Sequence, residues 1–307
     1  MMRFKFSFLS YLMASFVAMM MPSYAFSYAH GSNAGPRVVL SDARWKMPAV
    51  EDTMDVVTYE ACVKRAMSLM EHDSLSQAES TLRMALEMQP ALKANALLYR
   101  HIAQICEQQG RNEEALENYT LGVNLAPEVV SLRMDRASLY VRLNQTERAI
   151  YDYTCALDVE EDRVDALFFR AYLYMEQRDY KKARADYEHL VRLQPTNENA
   201  LLGLALLNDK DNRPREAMEQ MDNLVRIFPT HAILYAIRGG MKQRRRLYEG
   251  ALKDLNTAIE LEPGNADFYV SRATLYLDMR KKKLARQDLQ MAVSCGADAK
   301  ELSSLLK

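Results

Sequence analysis

The ionisable side chains of this 307-residue chain show one strict spacing. Arg136 and Asp152, Arg170 and Asp186, Arg238 and Asp254, and Arg272 and Asp288 each stand sixteen residues apart. At two further places in the same register the arginine gives way to Ile102 and Leu204, and the aspartate gives way with it, to Asn118 and Gln220. A guanidinium fork fits a carboxylate through two parallel hydrogen bonds. A half-buried charge needs its partner, so two residues that come and go together are expected to face each other. The chemistry of such a pair is mutual neutralisation. These eight residues are therefore expected to be structural ion pairs, not catalytic groups.

No other constellation competes with them. His30, His72, His101, His189 and His231 are scattered, and none stands in an HExxH pattern. There is no GxSxG and no glycine-rich phosphate loop. Cys62, Cys106, Cys155 and Cys295 form no CxxC pair and show no metal-ligand spacing with histidine. They are expected to be small core residues, the common fate of a free cysteine. Only Cys62 and Cys106 fall close enough in the chain's organisation to approach each other. No catalytic, cofactor or metal site is predicted, and the chain is not expected to be an enzyme. A formal net charge of −1 argues against a nucleic-acid partner.

The elements that position the pairs follow a 34-residue grid. Pro127, Pro195, Pro229 and Pro263 lie on it, Glu161 fills an empty point, and the Cys295-Gly296-Ala297 turn falls one step beyond. A period in this range signals stacked helical units. The unit from Val164 shows why. Leu167, Ala171 and Tyr174 share one helical face, Asp179 is placed to cap a second helix, and Ala183, Tyr187 and Leu190 share a face of that helix. Pro195 closes the unit where a helix cannot continue. The small residues allow close approach of the two helices, and the tyrosines fill the space beside them.

The pattern resembles the tetratricopeptide repeat. Its places are held by Tyr99, Ala103, Ala115, Tyr119, Gly122 and Pro127, then by Ala137, Tyr140, Ala149, Tyr153 and Ala156. Leu201, Ala205, Ala217, Met221, Leu224 and Pro229 follow in the same order. Seven units near 59–92, 96–129, 130–163, 164–197, 198–231, 232–265 and 266–299 are expected, the first set off by three extra residues around Lys93-Ala94-Asn95. The resemblance implies an all-α fold, an α-solenoid coiled as a right-handed superhelix, over residues 53–299. Residues 300–307 would be a short C-terminal cap.

In that family the first helices line a concave groove that holds a segment of a partner protein. Helical phase places Met134, Val141, Phe168, Tyr172, Met175, Leu202 and Leu206 toward it, an apolar stretch expected to receive a peptide or helix. Arg100 and Gln104 stand nearest to the places with which some members grip a carboxylate tail, but the lysine and asparagine of that set are missing. The alternatives are self-association through an open C-terminal face bearing Leu302, Leu305 and Leu306, and attachment to an anionic polymer or membrane surface. The latter would use the turn clusters Arg244-Arg245-Arg246 and Arg280-Lys281-Lys282-Lys283.

The N-terminus differs in kind. Arg3 and Lys5 precede an uncharged, almost wholly apolar run from Phe6 to Met21, and small-x-small sites end at Ala25 and Ala29. This is the order of a secretory signal peptide, so residues 1–25 are expected to direct export to a periplasm or the exterior, most simply in a bacterial envelope. The run is short for a membrane span. Residues 26–52, with Gly31, Gly35, Pro36 and the lone Trp45, read as a flexible linker. The expected whole is an exported, non-catalytic scaffold that binds a protein or peptide.

Overall fold

The computed structural model describes residues 58–303. The predicted signal segment, the linker with Trp45, and Leu305 and Leu306 lie outside these residues. Among the described residues all regular structure is helical: fourteen helices paired into seven hairpins, and a short last helix. The chain divides into two compact bodies, one running through Glu161 and the other beginning at Asp162.

The first body holds three hairpins. These are α1 (Tyr59–Glu71) with α2 (Leu75–Met88), α3 (Asn95–Gln108) with α4 (Asn112–Leu125), and α5 (Val130–Arg142) with α6 (Thr146–Val159). The second body holds four: α7 (Val164–Glu176) with α8 (Tyr180–Leu193), α9 (Glu198–Lys210) with α10 (Pro214–Ile227), α11 (Ala232–Arg244) with α12 (Tyr248–Leu261), and α13 (Ala266–Asp278) with α14 (Lys282–Ser294). The helix α15 (Ala299–Ser303) follows, and its Leu302 packs half-buried on Ala273, Ala285 and Leu289 of the last hairpin.

Inside each hairpin the alanines of the repeat pattern are fully buried: Ala66 and Ala78, Ala103 and Ala115, Ala171 and Ala183. Beside them Tyr119, Tyr153 and Tyr187 stand at one position of three successive hairpins, each almost without exposed surface. Burying one such ring stabilises by roughly 1.5–3 kcal/mol. Each grid proline follows the end of a second helix by two residues, as Pro229 follows Ile227. The vacated carbonyl is reused: Tyr235 and Tyr269 donate their hydroxyls to the carbonyls of Pro229 and Pro263, at 3.2 and 3.0 Å.

The three-residue insertion before α3 is held by Asn95, which has no exposed surface. Its side chain accepts from the Tyr59 hydroxyl at 2.9 Å and donates to the Gln89 carbonyl at 2.5 Å. The extra residues thus form a turn pinned to α1.

Every first helix stops in the same way. One residue takes a left-handed conformation and the next amide donates back five residues, as Asp179 does to Tyr174 and Leu247 to Lys242, at 2.8 and 3.0 Å. Glycine is the usual occupant of such a place. Here only Gly110 fills it, and the others are Asp73, Asn144, Arg178, Asn212, Arg246 and Arg280. A side chain in this region costs roughly 1–2 kcal/mol. Arg246→Gly is therefore expected to raise stability, by about 0.5–1 kcal/mol in a urea titration because glycine also loses more freedom on folding.

Candidate functional site

All four arginine–aspartate pairs meet in the structure. Arg136 Nε and Nη2 each lie 2.7 Å from an oxygen of Asp152. The corresponding bonds of Arg170 to Asp186 are both 2.8 Å, those of Arg238 to Asp254 are 2.9 and 2.7 Å, and those of Arg272 to Asp288 are both 2.8 Å. Every aspartate is buried. Burial works against the charge of Arg136 and of Arg238, but the carboxylate bonds outweigh it and hold both guanidinium pKa values above the ordinary arginine value.

The structure adds a third partner that the spacing rule missed. The remaining guanidinium nitrogen reaches sixteen residues backward, to the second helix of the preceding hairpin. Arg136 Nη1 donates to Thr120 at 3.0 Å, Arg238 Nη1 to Asp222 at 2.8 Å, and Arg272 Nη1 to Asn256 at 2.8 Å. A tyrosine ring covers each plane, with the Arg136 carbon 5.9 Å from the Tyr140 centroid and that of Arg272 5.7 Å from Tyr269. These three pairs thus tie their hairpins to the ones before. The signal was present as polar residues at the −16 positions. The first hairpin departs from the pairing, because Thr81 stands in the aspartate place and Arg65 is exposed.

The predicted groove needs a correction. Met134, Phe168, Met175, Leu202 and Leu206 are buried, the last three with about 1% of their surface exposed. Only Val141 and Tyr172 keep partial exposure. The reason is that first helices touch one another along each body, α3 against α5, α7 against α9, and α11 against α13. Side chains between them are core. Phe168 also sits edge-on to Tyr187 of its own hairpin, ring centroids 6.0 Å apart. Burial, with the negative charge of Glu176 behind it, pushes the Tyr172 hydroxyl up to about 12. These residues therefore hold hairpins together and do not form an open apolar patch.

The polar residues of the same face are also occupied. Asp135 takes the side chains of Arg100 and Gln104, at 2.6 and 3.1 Å, so neither is left to grip a carboxylate tail. Arg142 pairs with Glu107. In the second body Lys210 pairs with Glu176 at 2.5 Å, Arg245 with Asp209 at 2.6 Å, and Gln243 donates to Asp278 at 2.8 Å. Each bond joins one first helix, or the turn after it, to the next.

Partial exposure also persists on α11 and α13. Ile233, Gly240, Val270, Thr274 and Leu277 are partly exposed. A Cβ added at Gly240 would meet only the tip of Arg244, 3.9 Å away, so backbone is reachable there. Asp267 stands in the first turn of α13, and burial alone raises the pKa of its carboxyl. It has no ion-pair partner among the described residues.

The four cysteines are free, Cys62 and Cys106 buried and Cys155 and Cys295 partly exposed. Ligand atoms of Glu79, Cys106 and Glu114 lie within 4.8 Å of one another, the geometry of a metal cage. Arginines already fill it. Arg111 bonds both carboxylates, Arg83 bonds Glu79 at 2.7 Å, and Arg111 to Glu114 measures 2.7 Å. Burial tends to raise Glu79, but these bonds prevail and hold it below the usual carboxylate range. Burial also raises the Cys106 thiol, the opposite of what a metal thiolate requires.

Among the described residues His101, on α3, is the one histidine with a large shift. Burial lowers its pKa to about 4, helped by the charge of Arg100. Its Nδ1 has no hydrogen-bond partner. A native value below the unfolded value of about 6.5 means that the unfolded chain binds the proton first. Stability is therefore full above about pH 6.5 and falls as the pH drops toward 4, by at most about 3 kcal/mol from this group. His101→Gln is expected to flatten that part of the profile in urea titrations at neutral and acid pH. An unchanged acid loss would exclude His101 as its source.

The fold and this face define a helical-repeat scaffold whose repeats are locked by charge. The tetratricopeptide repeat family matches residues 63–127, 134–198 and 171–232, more than half of the chain, so the protein belongs to that family. Members are typically non-catalytic and generally bind proteins. Among solved structures, a tetratricopeptide repeat protein from Parabacteroides merdae is 27% identical, with a TM-score of 0.68 over 81% of this chain and 97% of that one. The C-terminal part of a repeat-containing protein from Cytophaga hutchinsonii shares the fold at 15% identity and a TM-score of 0.58, covering 80% of this chain and 99% of that one. So does pilF of Pseudomonas aeruginosa, at 16% identity and 0.52, covering 69% and 99%. No curated protein matches the sequence.

Proposed function

We infer that this protein is an exported scaffold that holds an extended or helical segment of a partner protein against the first-helix face of its last two hairpins. The family's general protein binding supports the class. The observation that carries the site is the open strip on α11 and α13. It combines apolar side chains at Ile233, Val270 and Leu277, reachable backbone at Gly240, and the unpaired Asp267. A carboxylate half-removed from water and without a cation favours a segment that brings a lysine, an arginine or a free amine. Export rests on the order of residues 1–25 in the sequence, and an envelope partner follows from it. No helix among the described residues is long and apolar enough to cross a membrane.

The test is capture of envelope proteins by the immobilised chain and by variants. Val270→Ser with Leu277→Ser, and separately Asp267→Asn, are expected to lose the partner while keeping native helicity by circular dichroism. Retention of the same partner by both variants would place the site elsewhere. Phe168→Ser or Leu202→Ser would not test binding, because both side chains are buried and their exchange is a stability experiment.

A further inference from the structure

The turns between the two helices of each hairpin differ sharply between the two bodies. In hairpins four to seven the seven-residue turns 176–182, 210–216, 244–250 and 278–284 carry thirteen basic and six acidic residues. The corresponding turns 71–77, 108–114 and 142–148 carry three basic and five acidic ones. The chain as a whole is near neutral, at −1, so the positive charge is concentrated and is not a general property of the hairpin turn.

Successive turns of the second body lie side by side. Lys210 reaches Glu176 of the turn before it, and Arg244 and Arg245 both reach Asp209. Those contacts neutralise part of the charge. Lys181 stands beside Asp179 and lowers its pKa, whereas Arg178, Arg246, Arg280, Lys281 and Lys283 are exposed and form no ion pair among the described residues. Three of these, Arg178, Arg246 and Arg280, occupy the left-handed position that Gly110 fills in hairpin two.

Two exposed leucines interrupt the charge. Leu247 follows Arg246 directly and is 55% exposed, and Leu284 follows Lys283 and is 39% exposed. Basic side chains with exposed aliphatic ones between them fit a bilayer interface, where cations meet headgroups and apolar tips enter the acyl boundary. A nucleic acid or soluble polyanion offers no place for the leucines.

We propose that the turn edge of hairpins four to seven seats on an anionic phospholipid surface, with Arg178, Arg246, Arg280 and Lys281 at the headgroups and Leu247 and Leu284 below them. The edge is separate from the strip on α11 and α13, so a partner held there would be presented at the membrane.

The experiment is vesicle flotation of the full chain, comparing phosphatidylcholine vesicles with vesicles holding about 30 mol% phosphatidylglycerol. The readout is the ratio of the two partition coefficients, compared between the unaltered chain and its variants, so that the contribution of residues 1–21, with Arg3 and Lys5, is common to all. The triple variant Arg178→Gly, Arg246→Gly, Arg280→Gly relieves backbone strain, so loss of binding cannot come from unfolding. It is expected to lower the ratio by about tenfold or more. Raising salt from about 0.1 to 0.5 M is expected to act in the same direction. Leu247→Ser with Leu284→Ser is expected to weaken binding to anionic vesicles several-fold without affecting binding to soluble polyphosphate. A ratio near one for the unaltered chain, or one unmoved by the triple variant, would overturn the proposal. So would binding to polyphosphate as tight as to vesicles with the leucine variant indifferent, which would assign the edge to a soluble polyanion.

Discussion

Asp152→Ala is expected to destabilise the first body by about 3–5 kcal/mol, the largest effect of any single exchange discussed for this chain. Asp152 has no exposed surface, and both its oxygens are engaged by Arg136, itself only 8% exposed. Arg133 lies 3.8 Å from the same carboxylate. Removing the carboxylate leaves a buried guanidinium with only Thr120 and the Tyr140 ring for company. The double variant Arg136→Met with Asp152→Leu removes both charges together and is expected to cost far less, because desolvation of the ions disappears with their attraction. Urea unfolding of the three proteins measures the difference. Equal losses for the single and double variants would mean that the pair's charges contribute nothing to each other. The same comparison at Arg170 and Asp186 is expected to give a smaller gap, since Arg170 is more exposed than Arg136.

Gly203→Ala is expected to cost about 1–3 kcal/mol although alanine is the better helix former. Gly203 lies in mid-helix on α9, against Tyr187 of the preceding hairpin. A Cβ there would meet three ring carbons of Tyr187 at 2.3, 2.6 and 2.8 Å. The ring cannot swing away, because it has no exposed surface and is braced edge-on by Phe168. Thermal unfolding should therefore show a lower midpoint for Gly203→Ala, with helix content unchanged at low temperature. Tyr187→Leu, which trims the outer ring atoms, is expected to make the second substitution cheaper than it is alone. Strict additivity of the two changes would mean that the ring and the missing methyl do not share the space.

The fold was legible because a period shows directly in one dimension. Proline at 127, 195, 229 and 263 marks where second helices stop, and alanine at 171 and 183 marks where helices touch. The ion pairs were legible for the same reason: two charges that vary together at fixed spacing report a contact within one hairpin. Contacts between hairpins were harder to see. Thr120, Asp222 and Asn256 differ in type, so no shared letter announced that one place in three hairpins receives the next hairpin's arginine. The groove failed in a similar way. Helical phase gave the direction of Phe168, Met175, Leu202 and Leu206 correctly, but how far the next first helix encroaches on that face is not a property of one helix. Gly203 left a trace, a glycine in mid-helix in a chain with only ten, yet its partner is the ring of Tyr187, sixteen residues earlier on another helix.

By itself, then, the sequence determined seven helical hairpins, their turns, their internal alanine contacts and the four arginine–aspartate pairs. All of these follow from interactions whose spacing is set by helix geometry and repeated at 34 residues. The tertiary structure alone decided which residues remain on the surface: the expected apolar groove became core, and part of the charge of the basic turns was taken up by Glu176 and Asp209 of the neighbouring hairpins. Burial depends on how closely neighbouring hairpins approach. That distance is set by side-chain volumes on two hairpins at once, and a pattern read along one strand of sequence does not contain it.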